Sequence, residues 1–357
     1  MTTPTAGSFQ DVQGLQDTQH PEDKPSLQAT PAAPHNLSGD VLHHHWLPVA
    51  LRSEVREKGL LGAQLLGEPL VVAALPGGCE VWQDLCIHRG AKLSLGRVEG
   101  GQLHCPYHGW VYASGGQCVK FPVHPEQTPP AKAAARTFRA QEAYGLVWVC
   151  LGEPQAELPA FPEWADDSFQ KTWCGPYTFR ASAPRVVENF LDVAHFPYVH
   201  EGILGAKDVP EIPDYDLSVE GTQITASGIR VYQPDPDGTG VGRYVEYTYR
   251  VLGPLSASFD KIDGDGRVFS IFMSVTPVTE TLSRAWFAVA LNYGGMSDEA
   301  LREFQDHVAS QDLPVVESQW PERLPLDLQA ELHLRSDRVA IAYRRMLGEI
   351  GMTFGTA

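Results

Sequence analysis

Cys86-Ile87-His88 and, after sixteen intervening residues, Cys105-Pro106-Tyr107-His108-Gly109-Trp110 decide how this chain is read. Two Cys and two His in paired short spacings make a four-ligand metal site on two facing loops, because a hairpin tip at a strand end presents both of its side chains to one point. Thiolate together with imidazole suits zinc or an iron–sulfur centre. The surrounding sequence predicts short strands at 69–75, 80–85, 102–105, 110–113, 118–121 and 145–151. Pro76-Gly77-Gly78 and Ser114-Gly115-Gly116 supply turn chemistry between them. A short helix capped by Ser53 and ended by Gly59 is expected before the first of these strands.

The spacing inside each pair separates the two metals. In a Rieske [2Fe–2S] centre two Cys hold one iron and two His the other, so each loop gives one ligand to each iron, which C-x-H and C-x-x-H do. Zinc sites more often pair Cys with Cys and His with His. Cys86, His88, Cys105 and His108 resemble the Rieske family, and Gly90, Gly109 and Trp110 fit its loop pattern. Rieske proteins of respiratory chains carry an additional Cys in each loop; here there is none, so the loops look like the oxygenase and ferredoxin branch. Cys79, Cys118, Cys150 and Cys174 read as buried thiols.

A ferredoxin would stop near residue 150, and this chain has 357 residues. An apolar-periodic stretch over 183–195 predicts a helix that runs into Glu188-Asn189-Phe190-Leu191-Asp192-Val193-Ala194-His195-Phe196-Pro197-Tyr198-Val199-His200-Glu201-Gly202. Glu188, Asp192 and His195 would share one face of it. His195 and His200 would lie about 140° apart on a continuous helix. Pro197 is expected to break the helix at Phe196, so that His200 folds back toward His195. Two imidazoles with open positions are two-thirds of the 2-His-1-carboxylate triad that holds non-haem Fe(II). Strands are expected over 215–232, 241–262, 266–278 and 283–293, then a helix from Ser297 and another from Ser336 to about Ile350.

Taken together, Cys-x-His, Cys-x-x-His and N-x2-D-x2-H-x4-H resemble the α subunit of Rieske non-haem iron oxygenases over residues 42–357. The Tyr343-Arg344-Arg345 stretch and the Trp46-x-Pro48-Val49-Ala50 segment look more like the single-subunit branch of vanillate O-demethylase and phthalate oxygenase relatives. The resemblance implies an α+β chain: an N-terminal all-β Rieske domain (42–157) and a helix-grip (START/Bet v 1-like) catalytic domain with an antiparallel sheet (158–357). It assigns Asp312, before the Val-Val-Glu-x-Gln run, as the third iron ligand, with Asp306 and Glu317 as competitors. It assigns Asp192 as a bridge from His195 to His108 of a neighbouring subunit in a head-to-tail homotrimer. It also implies O2 as co-substrate, a small aromatic or cyclic substrate that is hydroxylated or oxidatively demethylated, and electrons from NAD(P)H through a separate reductase, with or without a ferredoxin. Arg52, Arg56, Lys58, Arg89, Lys92 and Lys120 are candidates for a basic docking patch. The competing reading is an electron carrier fused to a non-catalytic ligand-binding domain.

Charge narrows the field further. The formal charge is −17, distributed as −4 over 1–41, +1 over 42–155 and −14 over 156–357. That balance argues against nucleic acid as a partner, which needs clustered Lys and Arg. No apolar run approaches the ~18–20 residues of a membrane span. Residues 1–41, rich in Pro, Gln, Thr and Ser, read as a disordered acidic tail, and a stretch with several Pro and Gly over 152–162 as a linker. No secretory signal is visible, so a cytoplasmic protein is expected.

Overall fold

The computed structural model describes residues 40–236, 241–263 and 265–357. All but the last two residues of the expected acidic tail thus lie outside the described residues. Asp40 already belongs to the fold. One of its carboxylate oxygens accepts from Leu42 N (2.8 Å); the other accepts from Thr353 N and Oγ1 and from Phe354 N (2.9, 2.8 and 2.8 Å). The beginning of the fold is thereby pinned to its C-terminal end.

Ten strands follow: β1 (Leu47–Leu51), β2 (Leu60–Leu65), β3 (Glu68–Leu75), β4 (Gly78–Gln83), β5 (Arg97–Glu99), β6 (Gln102–His104), β7 (Val111–Tyr112), β8 (Cys118–Lys120), β9 (Thr137–Ala143) and β10 (Leu146–Cys150). They form a six-stranded sheet in the order β1-β10-β9-β4-β3-β2 and a four-stranded sheet β5-β6-β7-β8. One Cys/His loop joins β4 to β5 and the other joins β6 to β7, so the small sheet holds both loops at one end. Helix α1 (Arg52–Lys58) differs from expectation at its start. Leu51, the last residue of β1, stands at its cap and Ser53 falls inside its first turn, because the chain passes from strand to helix without a loop. Gly59 ends it at φ +80°.

The second half is a seven-stranded antiparallel sheet in the order β11-β17-β16-β15-β14-β13-β12. Its strands are β11 (Gln170–Phe179), β12 (Asp216–Glu220), β13 (Gln223–Gln233), β14 (Arg243–Gly253), β15 (Ser256–Ile262), β16 (Val268–Thr279) and β17 (Leu282–Leu291). Helices α2 (Ala183–Leu191), α3 (Phe196–Val199), α4 (Asp298–Val316) and α5 (Arg338–Glu349) complete it. Ser297 caps α4 by accepting from Ala300 N at 3.1 Å, as its position in sequence suggests. The sheet closes against α2, α4 and α5 in the expected helix-grip arrangement.

Strand alternation explains why β16 and β17 read as unbroken apolar runs. Successive side chains point to opposite faces. Ile271, Met273, Val275, Phe287 and Val289 join the main core, while Phe272, Trp286, Ala288 and Ala290 pack with Trp148, Leu146 and Phe161. Both faces are therefore covered, one of them by the N-terminal sheet. Backbone bonds cross the same seam, from Leu66 N to Pro277 O (2.7 Å) and from Gly67 N to Val278 O (2.9 Å). The expected linker is part of this packing. Phe161 is buried, Gly152 N donates to His43 O (2.7 Å) and Tyr144 Oη to Pro159 O (3.1 Å).

Helix α2 is anchored by charge. Arg344 on α5 donates to both oxygens of Glu188 (2.5 and 2.8 Å) and also to Glu331. Arg185 donates to Glu331 (2.7 Å) and to Pro321 O (3.0 Å). Both arginine side chains are 3% exposed or less. Removing one partner of such a network leaves an uncompensated buried charge. Arg344→Ala is expected to destabilise the fold by about 3–5 kcal/mol, read as a lowered denaturation midpoint of the whole protein.

Candidate metal centres

The two N-terminal loops repeat one backbone design. Cys86 O accepts from Gly90 N (2.9 Å) while Cys86 N donates to Ala91 O (2.8 Å); Cys105 O accepts from Gly109 N (3.1 Å) while Cys105 N donates to Trp110 O (2.9 Å). The closing residue has positive φ in both, +71° at Gly90 and +68° at Gly109, which is what glycine supplies there. Cys86 and Cys105 are buried at 2% exposure, and His88 and His108 lie outside them, half-buried, with ring centroids 4.5 Å apart. Trp110 stacks flat on His88 at 4.4 Å and 8°. Tyr112 Oη lies 3.0 Å from Cys86 Sγ. Burial, and then the neighbouring Cys86, push the Cys105 thiol up, so as a metal ligand it must give up a proton that its surroundings otherwise retain.

Two observations test this site against an iron–sulfur cluster. His88 Nδ1 is buried and has no hydrogen-bond partner among the described residues, as a ligand nitrogen without its metal would be. The four donor atoms also do not converge on one point, as those of His195, His200 and Asp312 alone do among the described residues. A donor set spread wider than one ion fits a two-iron cluster better than a zinc ion.

The second group of ligands is built on a different local structure from the expected helix. Helix α2 ends at Leu191, and Asp192 follows in an extended conformation at φ −90°, ψ 129°. Asp192 then caps its own turn, with Oδ1 accepting from Ala194 N (2.7 Å), and this turn brings His195 Nδ1 within 3.1 Å of Asp192 Oδ2. Pro197 does not break a helix. It sits in the first turn of α3, where its missing N–H costs nothing. Glu188 faces Arg344 rather than the histidines. After His200 the chain turns through Gly202, and Gly205 lies so close to α3 that a Cβ there would stand 2.6 Å from Pro197 N. His200 is fully enclosed as a result.

His195 Nε2 and His200 Nε2 are 3.2 Å apart, and Asp312 Oδ1 from α4 lies 3.5 and 3.1 Å from them. Both outer ring nitrogens are engaged: His195 Nδ1 by Asp192, and His200 Nδ1 by Gln311 Oε1 at 2.7 Å. Donating from Nδ1 leaves each Nε2 with its lone pair, which is how metal-binding imidazoles are oriented. Asp312 Oδ1 is buried with no hydrogen bond of its own. Three acceptor atoms thus face one point where only a cation satisfies all of them. Burial works against the charged form of His200, yet Asp312 and Gln311 outweigh it and hold its pKa above the usual histidine value. The competing carboxylates are engaged elsewhere: Asp306 accepts from Tyr177 Oη (2.6 Å) and Glu317 from Arg180 N (2.9 Å). Gln311 was not singled out from the sequence. Its only signal there is its place directly before Asp312.

The triad opens onto a cavity walled by Phe179, Val186, Phe190, Phe196, Phe259, Ile271, Phe287 and Val308, with Asn189, Tyr247, Tyr249, Lys261 and Gln305 as its polar lining. On the outer side of the triad, the Asp192 side chain remains 37% exposed. Of the expected basic patch, Arg52 and Arg56 pair with Glu142 and Lys58 with Glu54, which leaves Arg89, Lys92 and Lys120 exposed around the cluster loops.

Comparison with known proteins finds relatives for both halves of the chain. Residues 45–139 match the Rieske [2Fe-2S] domain family and residues 179–351 the Vanillate O-demethylase oxygenase C-terminal domain family. The chain is similar to Methylxanthine N1-demethylase NdmA of Pseudomonas putida, at 32% identity over 88% of this chain and 91% of that protein. The solved structure of Pseudomonas putida CBB5 NdmA with caffeine superposes with a TM-score of 0.75 at 32% identity, covering 86% of this chain and 90% of that one. A 116-residue stretch is also 36% identical to Oxidoreductase NdmD of Pseudomonas putida, covering 32% of this chain and 20% of that protein.

The chain belongs to the Rieske non-haem iron oxygenases, as the oxygenase α subunit. It is an oxidoreductase of the terminal-oxygenase type, which uses O2 and two electrons from a separate NAD(P)H-dependent reductase to hydroxylate or oxidatively demethylate a small organic substrate. These relatives support the oxygenase reading and not the electron-carrier one. No helix among the described residues is long and apolar enough to cross a membrane. Because Gln311 holds the His200 tautomer, Gln311→Leu is expected to weaken mononuclear iron binding about 10–100-fold while the visible absorption of the cluster is unchanged, as read by chelator competition.

Proposed function

We propose that this protein is an N-demethylase of small methylated heteroaromatic compounds. The observation that carries the reading is the largely aromatic cavity opening directly on His195, His200 and Asp312, with a few polar groups in its wall. Such a lining takes a flat apolar ring and orients it through few hydrogen bonds. Similarity to methylxanthine demethylases supports the choice of a nitrogen heterocycle.

In this reading residues 42–157 hold the [2Fe–2S] cluster through Cys86, His88, Cys105 and His108, and residues 158–357 hold the mononuclear Fe(II) through His195, His200 and Asp312. The iron supplies O2 activation, and the protein supplies ligand geometry, a dry cavity and the placing of the methyl group. Electrons arrive at the exposed rim of the cluster loops, where Arg89, Lys92 and Lys120 attract an acidic reductase or ferredoxin. Three copies assemble head to tail in the cytoplasm, and Asp192 links His195 of one subunit to His108 of the partner subunit. Its hydrogen bond with His195 Nδ1 and its exposed outer edge both suit that bridge.

The test is oxygen uptake and formaldehyde release with a surrogate reductase and NADH. N-methylated heterocycles are expected to release formaldehyde in step with oxygen consumed; release from methoxybenzoates alone would instead mark an O-demethylase. Asp192→Asn is expected to retain both metals by iron analysis yet lose most turnover, and full activity in that variant would remove the bridge.

A further inference from the structure

Two tyrosines of β14 line the cavity beside the triad, and their hydroxyl protons meet no acceptor among the described residues. Tyr247 and Tyr249 are two positions apart on one strand and so share a face. Their rings lie 5.7 Å apart at 21° to each other, and both are at least 98% buried. Tyr249 Oη has no hydrogen-bond partner among the described residues. Tyr247 Oη accepts from Gln233 Nε2 at 2.7 Å, and that amide is oriented by Lys261, whose Nζ donates to Gln233 Oε1 at 3.4 Å. Donors therefore run in one direction, from an ammonium through an amide to a phenol. The oxygen at the end already accepts, so the Tyr247 proton is free to be given away. Burial keeps both phenols protonated far above neutral pH. A buried donor left unpaired is costly, and proteins keep such groups mainly where a ligand completes them.

The geometry points to Tyr247 and Tyr249 as a two-hydroxyl rail that selects planar substrates carrying carbonyl acceptors along one edge, cyclic amides and imides, and leaves the methylated edge toward His195, His200 and Asp312. This deepens the demethylase reading and rests on it. A pair of O–H donors in an aromatic cavity discriminates strongly against a ring without acceptors, since such a ring leaves both protons without an acceptor.

The experiment uses the holoenzyme with its surrogate reductase and two N-methylated probes: caffeine, which has two ring carbonyls, and 1-methylindole, which has none. Dissociation constants come from calorimetry and turnover from formaldehyde. Wild type is expected to bind caffeine the more tightly. Tyr249→Phe is expected to weaken caffeine about 10-fold and to leave 1-methylindole within twofold. The same variant should melt no lower than wild type, since it keeps the ring and removes only an unpaired hydroxyl. Equal shifts for the two probes, no preference for caffeine in wild type, or no caffeine binding would overturn the rail. Caffeine binding that depends on Tyr249 without formaldehyde from any N-methyl probe would instead retain the rail and remove the demethylase reading.

Discussion

Three acceptor atoms that repel one another are held at one point by what stands behind them. Asp192 and Gln311 take the Nδ1 protons of His195 and His200, so both Nε2 lone pairs are turned inward toward Asp312 Oδ1. No local preference would keep such an arrangement together, and each ligand is fixed by a larger element. His195 and His200 stand at the two ends of α3, just after α2, and Gln311 and Asp312 on α4. The helix α2 is tied through Glu188 to Arg344, which also holds Glu331. The energy that assembles the site therefore comes from a buried charge network and from the core, away from the metal position.

The same sheet serves the other end of the chain. Residues of β16 and β17 feed the iron-side core with one face and the aromatic layer of Trp148, Phe161, Phe272 and Trp286 with the other. Thr276 makes the join specific, its hydroxyl bonding Pro48 O while it accepts from Trp286 Nε1 (2.8 Å). A sheet covered on both faces is stiff, which suits a protein whose cluster and cavity must each keep fixed geometry. The cluster loops, in contrast, place Ile87 and Tyr107 at 47% and 65% exposure. Apolar side chains left at a redox rim are appropriate where another protein must approach closely.

Legibility followed the range of the interactions. The paired Cys/His loops could be read because all their determinants are local: ligand, spacing, and a glycine at the position that needs positive φ. Ser297 as a cap and Gly59 as a stop were readable for the same reason. The continuous helix expected through His195 was not formed, because Asp192 spends its side chain on Ala194 N and turns the chain out of the helix. Asp312 was reached through family resemblance, for nothing around it in sequence separates it from Asp306 or Glu317. It is the tertiary fold that turns Asp306 to Tyr177 and Glu317 to Arg180 N, and leaves Asp312 facing the two histidines.

By itself, the sequence determined the chemistry available: two sulfurs and two imidazoles on matched loops, two more histidines about ninety residues on, and enough chain for a second domain. Those features are covalent and local, and survive without knowledge of packing. Only the tertiary structure decided which acid joins the histidines, that Gln311 orients one of them, and that the Tyr249 hydroxyl stands in the cavity wall without a partner among the described residues. Each depends on side chains far apart in sequence meeting where water is excluded, and burial of that kind is a property of the assembled core.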